Sequence, residues 1–185
     1  QQIIRNMWNG EIKVITGIRR CGKSVLLFNL FKDYLLSQNI PEDNIIKIEL
    51  DQRRYYKFRN PITLCEYVES IISKKNDEKF YLFIDEVQFT IKVEDPENDN
   101  IIVSIYDMLN ELKAYPNLDV YVTGSNSKGL SRDIATEFRG RATQIHVYPL
   151  SFKEFYAYIG GDERKALEKY MLYGGMPRIL FFSAD

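Results

Sequence analysis

The stretch Gly17-Ile18-Arg19-Arg20-Cys21-Gly22-Lys23-Ser24 follows directly on the apolar run at 12–16 and reads G-x-x-x-x-G-K-[ST]. In that context the pattern predicts a phosphate-binding loop between a strand and a helix. Glycines at both ends let backbone N–H groups wrap an anion, and the helix starting near Lys23 turns the positive end of its dipole toward the same point. Lys23 is expected against the β- and γ-phosphates and Ser24 on a Mg²⁺ ion. The candidate nucleotide contacts are therefore Gly17, Arg19, Arg20, Cys21, Gly22, Lys23, Ser24 and Val25. A glycine turn leading into an amphipathic helix is the plain alternative.

Outward from the loop, strands and helices alternate. Strands are expected at 12–16, 45–50, 80–84, 118–123 and 143–148, the third apolar throughout, as a strand covered on both faces should be. Apolar residues at three- and four-residue steps predict a helix from the loop to about Leu36, with Leu26, Leu27, Leu30, Phe31, Tyr34 and Leu35 on one face. Asn60-Pro61 opens a second helix ending near Lys74. A third carries Ile102, Ile105, Tyr106, Leu109 and Leu112, and a shorter one covers about 130–138. Residues 51–60 and the acidic 94–100 read as loops. The alternation implies an α/β fold with a parallel sheet, right-handed crossovers and active loops at the strands' carboxyl ends.

Past Pro149 the pattern is helical only. Ser151-Phe152-Lys153-Glu154 is a capping box. Gly160-Gly161 ends that helix, and 162–173 forms another with Ala166, Leu167, Tyr170 and Met171 inward, leading to Gly174-Gly175-Met176-Pro177-Arg178. The expected division is a core at 1–149 and a helical lid segment at 150–185, truncated before further C-terminal domains.

Length and composition suit one domain: of 185 residues, 45% are hydrophobic and 28% charged, which supports a buried core and excludes wholesale disorder. A net charge of −1 carries no global basic signature for nucleic acid. A local patch stays open, with cations gathered at Arg53-Arg54-Tyr55-Tyr56-Lys57 and at 132–141; solvated loops are the plain reading of both. Two cysteines and one histidine cannot build a structural zinc site on their own or a disulfide framework. No apolar run nears the roughly 20 residues a bilayer requires, and no signal-peptide pattern opens the chain. The reading is a cytoplasmic protein with no membrane partner.

Beside a phosphate loop, an acidic pair closing a hydrophobic strand has a specific use. Asp85 is expected on the Mg²⁺ that Ser24 also holds, and Glu86 is expected to orient and deprotonate the attacking water. Ser125 and Asn126 end the fourth strand where a side chain able to donate and accept at once can sense a γ-phosphate. Arg139 and Arg141 follow, and an arginine facing the phosphate stabilises charge that develops in the transition state.

The succession GIRRCGKS, FYLFIDEVQ, VTGSNS, FRGRATQIHVYPLSFKEF and GGMPR resembles the prokaryotic AAA-type ATPases, P-loop ATP-binding proteins related to the STAND signal-transducing NTPases. The resemblance spans nearly the whole chain. It implies a three-layer P-loop NTPase of the additional-strand type with a five-stranded parallel sheet ordered 5-1-4-3-2, a small helical segment after it, and ATP and Mg²⁺ as cofactors. By the same resemblance Pro177 belongs to a G-x-P element lying against the nucleotide base, and Arg178 reaches phosphate as a second sensor. The family commonly continues into a winged helix and a further C-terminal domain.

The implied function is Mg²⁺-dependent ATP binding and hydrolysis by a nucleotide-driven switch, with ATP and ADP as its ligands. The alternatives are a nucleic-acid-acting loader or motor and a small-molecule kinase. The acidic pair suits water attack better than a second substrate. Oligomeric state stays open, because an arginine acting on a neighbour's nucleotide demands a ring or dimer and a switch does not.

Overall fold

The computed structural model describes residues 1–75, 77–98, 100–124, 138 and 142–181, with the backbone alone at 179 and 181. Its strands are β1 (Ile12–Thr16), β2 (Ile45–Glu49), β3 (Phe80–Asp85), β4 (Val93–Glu94), β5 (Ile102–Val103), β6 (Leu118–Thr123) and β7 (Ala142–His146). Five of them form a parallel sheet in the order β2-β3-β6-β1-β7. That is the expected 5-1-4-3-2 order with the small pair left out. In register, Val14 of β1 lies between Val122 and Gln144.

Every residue of β1, β3 and β6 is buried, because helices cover both faces of the sheet. Alternate strand residues feed two cores. Ile12, Val14, Leu82 and Val122 pack with Leu64, Val68 and Ile72 of the helix Pro61–Ile72 and with Leu109 and Leu112 of the helix Ile105–Leu112. Ile15, Phe83 and Tyr121 pack with Leu27, Phe31 and Leu35 behind the loop. Asn60 caps the helix Pro61–Ile72 by accepting from the Ile62 and Thr63 N–H groups, at 3.0 and 3.3 Å.

Four local expectations change. The helical stretch after the loop runs through Lys23–Val25, a π-helical part Leu26–Phe31 and Lys32–Ser37. The wider π turn keeps residues four apart in line, so Leu27, Phe31 and Leu35 are buried while Leu30 is 62% exposed. Residues expected as loop form a 3₁₀ segment, Arg53–Arg59. Ile102 does not begin a helix; it pairs with Glu94 in the antiparallel β4–β5 ladder, and Ser104 then caps the next helix with Asp107 in a capping box. In the last helix, Glu163–Tyr173, Ala166 is buried, but Leu167 and Met171 are exposed. The expected helix at 130–138 lies largely outside the described residues. Among the described residues no helix is long and apolar enough to cross a membrane.

Candidate active site

The loop begins where β1 ends, at the sheet's carboxyl edge between β6 and β7. Gly17 has φ 150°, and a Cβ there would fall 2.3 Å from the Val147 carbonyl oxygen and 2.7 Å from Cys21 Sγ. Only a hydrogen fits. Arg20 (φ 67°) and Gly22 (φ 105°) are both left-handed, and such residues curl backbone amides into an anion-binding concavity. Lys23, 5% exposed, donates from Nζ to the carbonyls of Gly17 (3.0 Å) and Ile18 (3.1 Å), holding its charge across the loop.

Ser24 Oγ donates to Asp85 Oδ2 at 2.8 Å, and Thr123 Oγ1 donates to the other oxygen, Oδ1. Burial pushes the Asp85 carboxyl above its ordinary range, the two hydroxyls oppose this, and the nearby charges of Glu86 and Asp51 add to it. A buried carboxylate beside a serine hydroxyl is a hard-oxygen pair short of positive charge, which fits Mg²⁺. Thr123 Oγ1 also accepts the Glu86 N–H at 3.2 Å. Glu86 itself is left-handed, φ 57° and ψ 53°, a costly backbone state that clusters at functional sites. Its Oε2 accepts a bond from Gln88 Nε2.

A cleft of about 290 Å³ is lined by Arg20, Gly22, Lys23, Ser24, Val25, Glu86, Pro177 and Arg178. Residues predicted from three separate stretches thus meet in one place. Cys21 is buried beneath Gly17. Arg19 is exposed outside the cleft. Ser125, Asn126, Arg139 and Arg141 lie outside the described residues.

Among the described residues, a chain of hydrogen bonds runs from the end of β1 into the helical segment. Val147 N–H donates to Thr16 O (2.8 Å) and Leu150 N–H to Gly175 O (2.7 Å), and the Tyr170 hydroxyl donates to Leu150 O (2.8 Å). Two residues beyond Gly175, Pro177 Cγ lies 3.6 Å from where a Gly22 Cβ would stand. Sequence reading missed Thr123, whose one signal is a hydroxyl closing the strand Leu118–Thr123. It also missed a larger cleft of about 560 Å³, to which Ile3, Leu26, His146, Tyr148, Pro149 and Glu154 contribute.

Comparison with known proteins bears on the family and the fold. The family described as "AAA domain" matches residues 9–156. An uncharacterized protein of Haemophilus influenzae is 34% identical, aligned over 97% of this chain and 43% of its own length. The uncharacterized protein MJ1544 of Methanocaldococcus jannaschii is 31% identical over 91% of this chain and 36% of its own. The chain therefore spans about two fifths of these relatives. Among solved structures, the Walker-type ATPase PABY2304 of Pyrococcus abyssi superposes with a TM-score of 0.57 at 19% identity, covering 97% of this chain and 62% of that one. PCH-2 of C. elegans gives 0.54 at 14% identity, covering 94% and 43%.

Proposed function

This chain belongs to the AAA domain family, and on that premise we propose that it binds ATP with Mg²⁺ at residues 17–24 and hydrolyses it by water attack on the γ-phosphate. The hydrogen bond from Ser24 to Asp85, 61 residues apart, carries the reading. It joins the serine of the phosphate loop to the acidic end of β3, the pair of groups such a reaction needs on one metal. Bound Mg²⁺ would offset charge on the phosphate oxygens. Ser24 and Asp85 would hold it. Lys23 would exchange its two carbonyl partners for phosphate oxygens, and Glu86 would take the proton of the attacking water. Pro177 and Arg178 would close the cleft from the helical side, and Asn126 with Arg139 or Arg141 would sense and stabilise the transferring phosphate. The larger cleft, walled by Ile3, Leu26 and Tyr148, suits the base.

On this reading the helical segment, held by the bond between Leu150 and Gly175, would report nucleotide state, and the protein would act as a switch. Lys23→Ala should lose at least about tenfold in ATP affinity, the worth of one charge-assisted hydrogen bond. Glu86→Gln should keep ATP binding and lose about a hundredfold or more in turnover. Titration calorimetry and phosphate release measure both, and a Lys23→Ala protein with full affinity and full turnover refutes the mechanism.

A further inference from the structure

The 3₁₀ segment Arg53–Arg59 plays no part in the nucleotide cleft, yet its construction is unusual for a solvated loop. Arg59 is locked in place: its Nε donates to Leu50 O at 2.9 Å, and its carbonyl accepts the Ile91 N–H at 2.9 Å. Its guanidinium lies 3.9 Å from the Tyr56 ring centre and 4.9 Å from that of Phe89. Both rings remain open to solvent, Tyr56 by 49% and Phe89 by 42%. Around them Arg53, Arg54, Lys57 and Lys92 are exposed.

We propose that this surface binds single-stranded nucleic acid, with bases stacking on Tyr56 and Phe89 and phosphates meeting Arg53, Arg54, Lys57 and Lys92. A rigid aromatic pair inside a cationic rim is how proteins hold an unpaired strand without reading its sequence. Charge alone would hold a polyanion only weakly, because Glu49 already pairs with Arg54 at 3.1 Å and Asp51 is exposed nearby. The rings therefore supply the affinity, which favours unstacked bases over a duplex or an acidic peptide. Phe89 closes the turn that starts at Glu86, its N–H bonded to Glu86 O at 3.0 Å, so a strand on the platform touches the element that carries the proposed general base.

Anisotropy of a labelled oligothymidylate of about 20 nucleotides tests the binding without reference to ATP. At physiological salt the dissociation constant should fall at about 1–100 µM and tighten as salt is lowered. Tyr56→Ala and Phe89→Ala should each weaken binding about fivefold or more, the worth of one stacked base, while Tyr56→Phe keeps it. Arg53→Ala with Lys57→Ala should flatten the dependence on log salt by about 0.7 for each phosphate no longer neutralised. A thermal melt confirms that each variant is folded, and Tyr56→Ala alone decides the matter should Phe89→Ala unfold. The proposal falls if the oligonucleotide does not bind, if Tyr56→Ala binds as well as the parent, or if a duplex or polyglutamate competes equally.

Discussion

Lys13 is fully buried in β1, and its Nζ meets Asp119 of the central strand β6. Asp119 also accepts the Trp8 N–H at 3.0 Å and the Tyr121 hydroxyl at 2.7 Å, so one carboxylate ties the amino-terminal turn to two strands. Asp119→Ala should destabilise the fold by about 3–5 kcal/mol, because an ammonium is left in a dry core without its counter-charge. Lys13→Met with Asp119→Asn should recover part of the loss, and urea midpoints measure both. Nothing local signals this pair, since its members stand 106 residues apart and Lys13 sits in a run that otherwise reads as apolar. Cys65 is legible only by its surroundings. Burial, helped by Glu69 and Glu111, pushes its thiol up to about 12 from 9.0. Below pH 9 the thiol is protonated in both states. Above it the unfolded chain loses the proton first, so stability falls as pH rises toward 12, by at most about 1.4 kcal/mol per pH unit. The slope of unfolding free energy between pH 9 and 11 should be shallower in Cys65→Ala than in the parent.

At the scale of elements, the joint between sheet and helical segment is the weakest-looking and most exacting part. A Cβ on Gly175 would stand 2.0 Å from the Leu150 carbonyl oxygen. Gly175→Ala should therefore break the Leu150–Gly175 bond at a cost of about 1–3 kcal/mol and expose the chain near Pro149 to protease, with the sheet still folded; limited proteolysis beside circular dichroism checks this. The helices at either side of the joint were readable, because Ser151-x-x-Glu154 and Asp162 are capping residues whose chemistry is local. Two-residue strands such as β4 and β5 were not, having too few residues for any period to show. The exposure of Leu30 escaped for a related reason: spacing predicts a face only when the helical turn has its usual width, and here it widens just behind the loop.

For the whole molecule, strand order was recoverable only through likeness to a family, whereas strand existence followed from composition and the turn residues between runs. The site divided in the same way. Gly17 to Ser24 and Asp85-Glu86 declare themselves by chemistry next to one another in the chain, while Thr123 and Val147 matter through proximity that folding creates. That proximity also has a schedule. β2 and β3 are neighbours in the chain and can pair early, but β1 pairs with β6 and β7, more than a hundred residues on. Contacts so distant in sequence close late. The phosphate loop therefore follows a strand whose partners are made more than a hundred residues later, and its walls are complete only once β6 and β7 clasp β1 between them.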